Sequence, residues 1–206
     1  MADKIAIFGG SFNPIHNGHI AVAKHALCEC GLKKVIFLPN ANPPHKEKTE
    51  LIGAIHRYNM VSLAIKGTKE FEISDYEMKK DKPSYTIDTM RYMKSKLDGD
   101  LYFIIGADSL YTLNLWKSYK DLIRECSFIV ADRNCHEGDD LKKAADYIRS
   151  QGGSVHIISM PKMNFTSTDI RNDILKGRDI SHSVPSKVNE YILENQLYRS
   201  YPEDKR

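Results

Sequence analysis

Six short apolar runs, each separated from the next by a helical pattern, leave this chain few folds to adopt. They lie at residues 5–8, 34–38, 71–74, 101–105, 127–131 and 155–159 and are rich in β-branched and aromatic residues. The central runs are continuously apolar rather than alternating, as expected of strands covered on both faces. Helices are expected at 17–30, 56–66, 86–97, around Trp116, at 119–124 and at 140–150, with two more at 167–176 and 186–194. Gly31 and Gly67 close the first two. Within 86–97, Ile87, Met90, Tyr92 or Met93, and Leu97 should face inward. The charged stretch 77–82 reads as an exposed turn or hairpin tip. Strand and helix in alternation predict an α/β protein with a Rossmann-like, doubly wound parallel sheet, helices on both faces, and extra C-terminal helices. The 206 residues contain no repeat, low-complexity tract or clear linker, so one domain over 1–206 is expected.

Bulk properties exclude several classes. Hydrophobic residues make up 41% and charged residues 28%, within the range of soluble globular chains. A net charge of +3, with acidic and basic residues interleaved, argues against a dedicated nucleic-acid binder. No apolar run approaches the roughly 18 residues that span a membrane. Met1-Ala2-Asp3-Lys4 leads straight into a strand with no signal-peptide apolar region. Cys28, Cys30, Cys126 and Cys135 form no CxxC pair, so zinc is disfavoured and reduced thiols in the cytoplasm are expected.

The first strand runs into Gly9-Gly10-Ser11-Phe12-Asn13-Pro14-Ile15-His16-Asn17-Gly18-His19 and then a helix. Strand, glycine turn and helix start present main-chain N–H groups and a positive dipole end to an anion. His16 and His19 lie one turn apart, so both imidazoles can reach one bound phosphate. Gly18 lets a nucleotide approach the backbone. There is no Gly-Lys-Ser/Thr of a Walker A loop, and the glycine spacing is wrong for a dinucleotide fingerprint. A second anion site is expected in Phe165-Thr166-Ser167-Thr168-Asp169-Ile170-Arg171. Ser167 or Thr168 caps a helix there, and Arg171 grips phosphate. Neither motif supplies a nucleophile with its base. Nucleotidyl transfer to a phosphate acceptor needs none, because a phosphate monoester, with a second pKa of about 6, is already ionised at neutral pH. It needs donors, a metal ion and rigid alignment.

These residues resemble the bacterial nicotinate-nucleotide adenylyltransferases of the His-x-Gly-His nucleotidyltransferase superfamily. The resemblance rests on Gly9 to Pro14, His16-Asn17-Gly18-His19, Pro43-Pro44-His45-Lys46, Pro83-Ser84-Tyr85-Thr86, Gly106-Ala107-Asp108, Trp116, and Ser167 to Arg171. Asn13 stands where many relatives carry Asp. The resemblance implies transfer of AMP from ATP to nicotinate mononucleotide with Mg²⁺, giving deamido-NAD and pyrophosphate. It implies catalytic roles for His16, His19 and Arg171. Gly9, Gly10, Ser11, Phe12, Gly18, Gly106, Asp108, Ser167 and Thr168 would join them in binding ATP, with Asp108 near ribose hydroxyls or the metal. His45, Lys46, Tyr85 and Thr86 would meet the acceptor, and Trp116 would stack on its pyridine ring. Mg²⁺ would be bridged by the phosphates.

On the residues alone, Trp116 and Tyr85 also read as core packing, Lys46 as a solvated charge, and Asp88 as part of a helix cap. His25, His56, His136, His156 and His182 read as structural or surface residues. Phosphopantetheine adenylyltransferase, another transferase of the superfamily such as a cytidylyltransferase, and a non-catalytic nucleotide-binding module are the alternative readings. Small-molecule partners are expected, and no nucleic acid or membrane. Oligomeric state stays open, a homodimer being the commonest symmetric form.

Overall fold

A computed structural model describes residues 2–41, 51–80, 83–132, 138–161, 163 and 165–199. The six apolar runs form strands β1 (Lys4–Gly10), β2 (Lys34–Pro39), β3 (Phe71–Ile73), β4 (Asp100–Gly106), β5 (Ser127–Asp132) and β6 (Ser154–Ser159). They make one sheet in the order β3-β2-β1-β4-β5-β6, and every neighbouring pair is parallel. The chain starts at the centre, steps outward to β3, then crosses back to β4 and steps outward to β6. Strand order therefore reverses between β1 and β4, and a crevice opens at their carboxyl ends, where such sheets bind ligands.

Helices α1 (Asn17–Glu29), α2 (Ala54–Ile65), α3 (Thr86–Lys94), α4 (Ala107–Tyr111), α5 (Tyr119–Glu125), α6 (Gly138–Ser150), α7 (Ser167–Leu175) and α8 (Ser186–Glu194) cover the sheet. Alternate strand residues point to opposite faces, so the apolar runs feed two cores. Ala6, Phe8, Val35, Phe37 and Ile104 pack with α1, α2, α7 and α8 through Val22, Met60, Ile170 and Val188. Ile5, Ile7, Ile36, Phe103 and Val130 pack with α3, α5 and α6 through Met90, Leu122 and Leu141. Burial on both faces is why these strands read as unbroken apolar runs.

Several expectations need correction. The stretch 77–82 is not simply an exposed tip. Glu77 is only 6% exposed, and its carboxylate accepts the Thr89 hydroxyl at 2.7 Å. The helix from Thr86 ends at Lys94, with Met93 buried. Tyr92 instead stacks on Tyr76 at 3.7 Å near the surface. Trp116 is not helical: it follows a single 3-10 turn, Leu113–Leu115, in extended conformation. Cys28, Cys30 and Cys126 are free thiols, that of Cys126 pushed up to about 11 by burial, and Cys135 lies outside the described residues. Among the described residues no helix is long and apolar enough to cross a membrane.

Candidate active site

The end of β1 and the loop to α1 are held by contacts from distant parts of the chain. Phe12 holds a left-handed backbone, φ +46°, a conformation uncommon for a bulky residue. Its buried ring pays for this by packing edge-on against Phe8 at 5.6 Å and His19 at 5.1 Å. Asn13, 2% exposed, is fastened from two distant segments. Its side-chain oxygen accepts the Tyr198 hydroxyl at 3.0 Å, and its carbonyl accepts Nη1 of Arg171 at 2.9 Å. Burial raises the Tyr198 phenol well above its ordinary range, so it stays a donor. The Ser167 hydroxyl donates to the Pro14 carbonyl at 2.9 Å. The start of α7 is thus bound to the histidine loop itself.

His16 is the residue before the first turn of α1, with extended backbone. Its main-chain N–H donates to Nδ1 of His19 at 3.2 Å, and the two rings lie 3.7 Å apart at 33°. An acceptor Nδ1 puts the neutral ring's proton on Nε2, leaving His19 one donor to aim outward. His16 is 2% exposed and meets Phe165 edge-on at 5.6 Å. Gly18 makes this packing possible, since a Cβ there would lie 2.9 Å from the His16 ring.

A cavity of about 300 Å³ opens beside this loop. Gly9, Gly10, Ser11, Phe12 and His19 line it, together with Gly106 at the end of β4 and Ser109 beyond it. Asn40, Ser84, Tyr85, Thr86, Trp116 and Lys117 line it too. The carboxyl ends of β1, β2 and β4 therefore converge on one cavity. Trp116 is half-buried and stands edge-on to Phe103 at 6.3 Å, so it packs on the core and also borders the cavity. Thr86 opens α3, whose first-turn N–H groups have no partner within the helix.

Other expected residues fall elsewhere. Asp108 is exposed in the first turn of α4, between the lining residues Gly106 and Ser109 but not itself on the wall. Ser167, Thr168 and Arg171 are not on the wall either; Ser167 and Arg171 bond to residues 14 and 13, which follow the lining residue Phe12. The helix cap is Thr166, not Ser167 or Thr168. Its hydroxyl accepts the Asp169 N–H at 3.2 Å, while the Asp169 carboxylate accepts the Thr166 N–H at 2.8 Å. Hydrogen bonds from Thr166 hold the Asp169 carboxyl below its ordinary range. Thr168 instead accepts Nη2 of Arg171 at 3.3 Å. Asp88, read as a cap, pairs with Lys117 at 3.2 Å. His45 and Lys46 lie outside the described residues, as does His136. Among the histidines set aside as structural, His56 meets the Tyr191 hydroxyl at 3.0 Å and His25 the Ala21 carbonyl at 2.9 Å.

Lys117, Glu77 and Arg57, at or beside the site, escaped the sequence reading, as did the lining residues Asn40 and Ser109. Lys117 lies on the wall with its ammonium 4.2 Å over the Tyr85 ring. Its place next to Trp116 was the only signal. Glu77 is on the wall as well, and Arg57 sits behind it. Neither carries a local pattern that announces burial. Among the described residues no three His, Cys, Asp or Glu side chains gather as a metal site.

Comparison with known proteins shows the family. The cytidylyltransferase-like family model matches residues 7–173. The protein of Clostridium novyi named "Probable nicotinate-nucleotide adenylyltransferase" is 37% identical over 198 residues, covering 95% of this chain and 99% of that one. One of the same name from Clostridium botulinum strain Loch Maree is 40% identical over 197 residues, covering 94% and 98%. In fold, the chain matches the Plasmodium falciparum nicotinic acid mononucleotide adenylyltransferase complexed with NaAD. Their TM-score is 0.80 at 22% identity, over 95% of this chain and 97% of that one. With the family model spanning most of its length and such relatives aligned end to end, this chain belongs to the cytidylyltransferase-like family and, within it, to the nicotinate-nucleotide adenylyltransferases.

Proposed function

We propose that the chain transfers AMP from ATP to nicotinate mononucleotide, giving deamido-NAD and pyrophosphate. The observation that carries this is the close His16–His19 pair at the N-terminus of α1, beside a cavity that extends to Trp116. The phosphate oxygen of the mononucleotide attacks the α-phosphorus of ATP. A new P–O bond forms in line as the bond from that phosphorus to the bridging oxygen of pyrophosphate breaks. The acceptor is already ionised, so the residues need only bind, align and stabilise charge.

Nε2–H of His19 is the donor aimed at the charge that builds on the phosphates, with His16 holding its ring in register. The first-turn N–H groups of α1 and the positive end of its dipole add to this. Gly9 to Phe12 and Gly106 bound the nucleotide space. Arg171, Ser167 and Thr168 serve the leaving pyrophosphate, with Arg171 also bracing the loop through Asn13. Trp116 offers its indole face to the electron-poor pyridine ring, a favourable cation–π contact. Tyr85 and the N–H groups at Thr86 border the same end. Mg²⁺ bound with ATP would supply neutralisation of the phosphate charge. Asp108, the exposed carboxylate between the lining residues Gly106 and Ser109, is the side chain that would stand by such an ion.

The test is direct. The purified chain, given ATP and Mg²⁺, is offered nicotinate mononucleotide, nicotinamide mononucleotide or phosphopantetheine, and pyrophosphate release is followed. Deamido-NAD formation, with the acid preferred over the amide, is expected. Turnover with phosphopantetheine alone would overturn the reading.

A further inference from the structure

Arg57, near the start of α2, is 1% exposed, yet it carries a charge that burial disfavours and pushes toward a lower pKa. A buried guanidinium normally has a carboxylate beside it. Among the described residues none pairs with Arg57. Four main-chain carbonyls satisfy it instead: Nε donates to Ile52 at 3.2 Å, Nη1 to Ser11 at 2.7 Å and Asn40 at 2.6 Å, and Nη2 to Ala41 at 3.2 Å. All four belong to irregular backbone, whose carbonyls no strand or helix ladder would satisfy.

Ser11 belongs to the phosphate loop after β1, and Asn40 and Ala41 to the segment after β2. Ser11 and Asn40 both line the cavity. One nitrogen, Nη1, joins the two, beside the main-chain bond from the Asn40 N–H to the Gly10 carbonyl at 3.0 Å. We propose that Arg57 is a positioning residue for the transfer, setting the spacing of the two loops and so the alignment of ATP. This rests on the proposed function of the cavity. A planar fork fixes several carbonyls at set angles, whereas a lysine ammonium does not, so the proposal separates Arg from Lys at equal charge.

Arg57→Lys and Arg57→Met are compared with Val155→Ala, a core change on the far edge strand, at a temperature where each is folded by circular dichroism. Binding of ATP alone is measured by calorimetry and turnover by pyrophosphate release. Both Arg57 variants should weaken ATP binding about fivefold and lower kcat/KM about tenfold or more, the scale of a small misplacement. Val155→Ala should move neither beyond about twofold, as a change remote from the site does. Arg57→Lys with lowered Tm but unaltered ATP binding and turnover would overturn the proposal. Should neither variant fold, exchange of the Arg57 guanidinium protons in the unaltered protein decides by NMR. Added ATP should slow it about fivefold or more through the tied loops, and unchanged exchange would overturn the proposal. An unaltered chain that binds ATP but makes no deamido-NAD would count against the function and leave the binding arm to judge Arg57.

Discussion

The His16 main-chain N–H points at Nδ1 of His19 across 3.2 Å, so one histidine sets the tautomer of the other. His19→Ala removes the outward donor. It should lower kcat by roughly 10²–10³, the scale of one lost transition-state donor, with a smaller change in KM for ATP. His16→Ala keeps the N–H but loses the ring that backs His19, and a fall of similar order is expected. Pyrophosphate release at saturating substrates measures both. An unaltered rate in either variant would take that ring out of the mechanism.

Gly18→Ala separates stability from alignment. Alanine favours a helix over glycine by about 1 kcal/mol. Yet its Cβ would press to 2.9 Å on the buried His16 ring, which must shift. Tm should therefore change little while kcat falls about tenfold or more. Thermal melts and turnover are compared on the same sample. Full activity would mean that the ring moves without consequence.

Trp116→Ala tests the acceptor end. The indole is half-buried, edge-on to Phe103, and faces the cavity beside Tyr85 and Lys117. Loss of a cation–π contact of about 1.4 kcal/mol corresponds to a tenfold rise in KM for the mononucleotide. KM for ATP should rise much less, and Trp116→Phe should recover part of the loss. Equal rises for both substrates would assign Trp116 to core packing.

How much of this was legible follows from how far apart the interacting residues lie. The strands were readable because burial on both faces makes each a local apolar run. The histidine pair was readable because its members are three residues apart. The helix cap was misread among three successive hydroxyls, Thr166, Ser167 and Thr168, each chemically suited to the role. Only the spacing to Asp169 singles out Thr166, and that pattern was present in the sequence. Glu77 and Arg57 were not legible. Glu77 finds Thr89 12 residues away and Arg57 reaches as far as Ser11, 46 residues away, and an isolated charge in a polar stretch or on a helix reads as solvated until the fold buries it. The tie from Tyr198 to Asn13 spans 185 positions and has no local signature at all.

Glu77 gives the chain a predictable response to pH. Burial lifts its carboxyl above the ordinary 4.5, while the hydrogen bond from Thr89 and the charge of Lys80 oppose the rise without cancelling it. A raised value means that the folded chain holds this proton more tightly than the unfolded chain does. The resulting stabilisation is fully present below pH 4.5 and is lost as pH climbs through the folded-state value, where a carboxylate must stay buried. Glu77→Gln keeps an oxygen to accept the Thr89 hydroxyl but has nothing to ionise. The variant should thus gain in Tm over the natural chain as pH rises from about 4 to 8, the gap opening above 4.5 and then levelling. Melting curves of both proteins across that range measure it. A gap that stays constant with pH would show that Glu77 titrates alike whether the chain is folded or not.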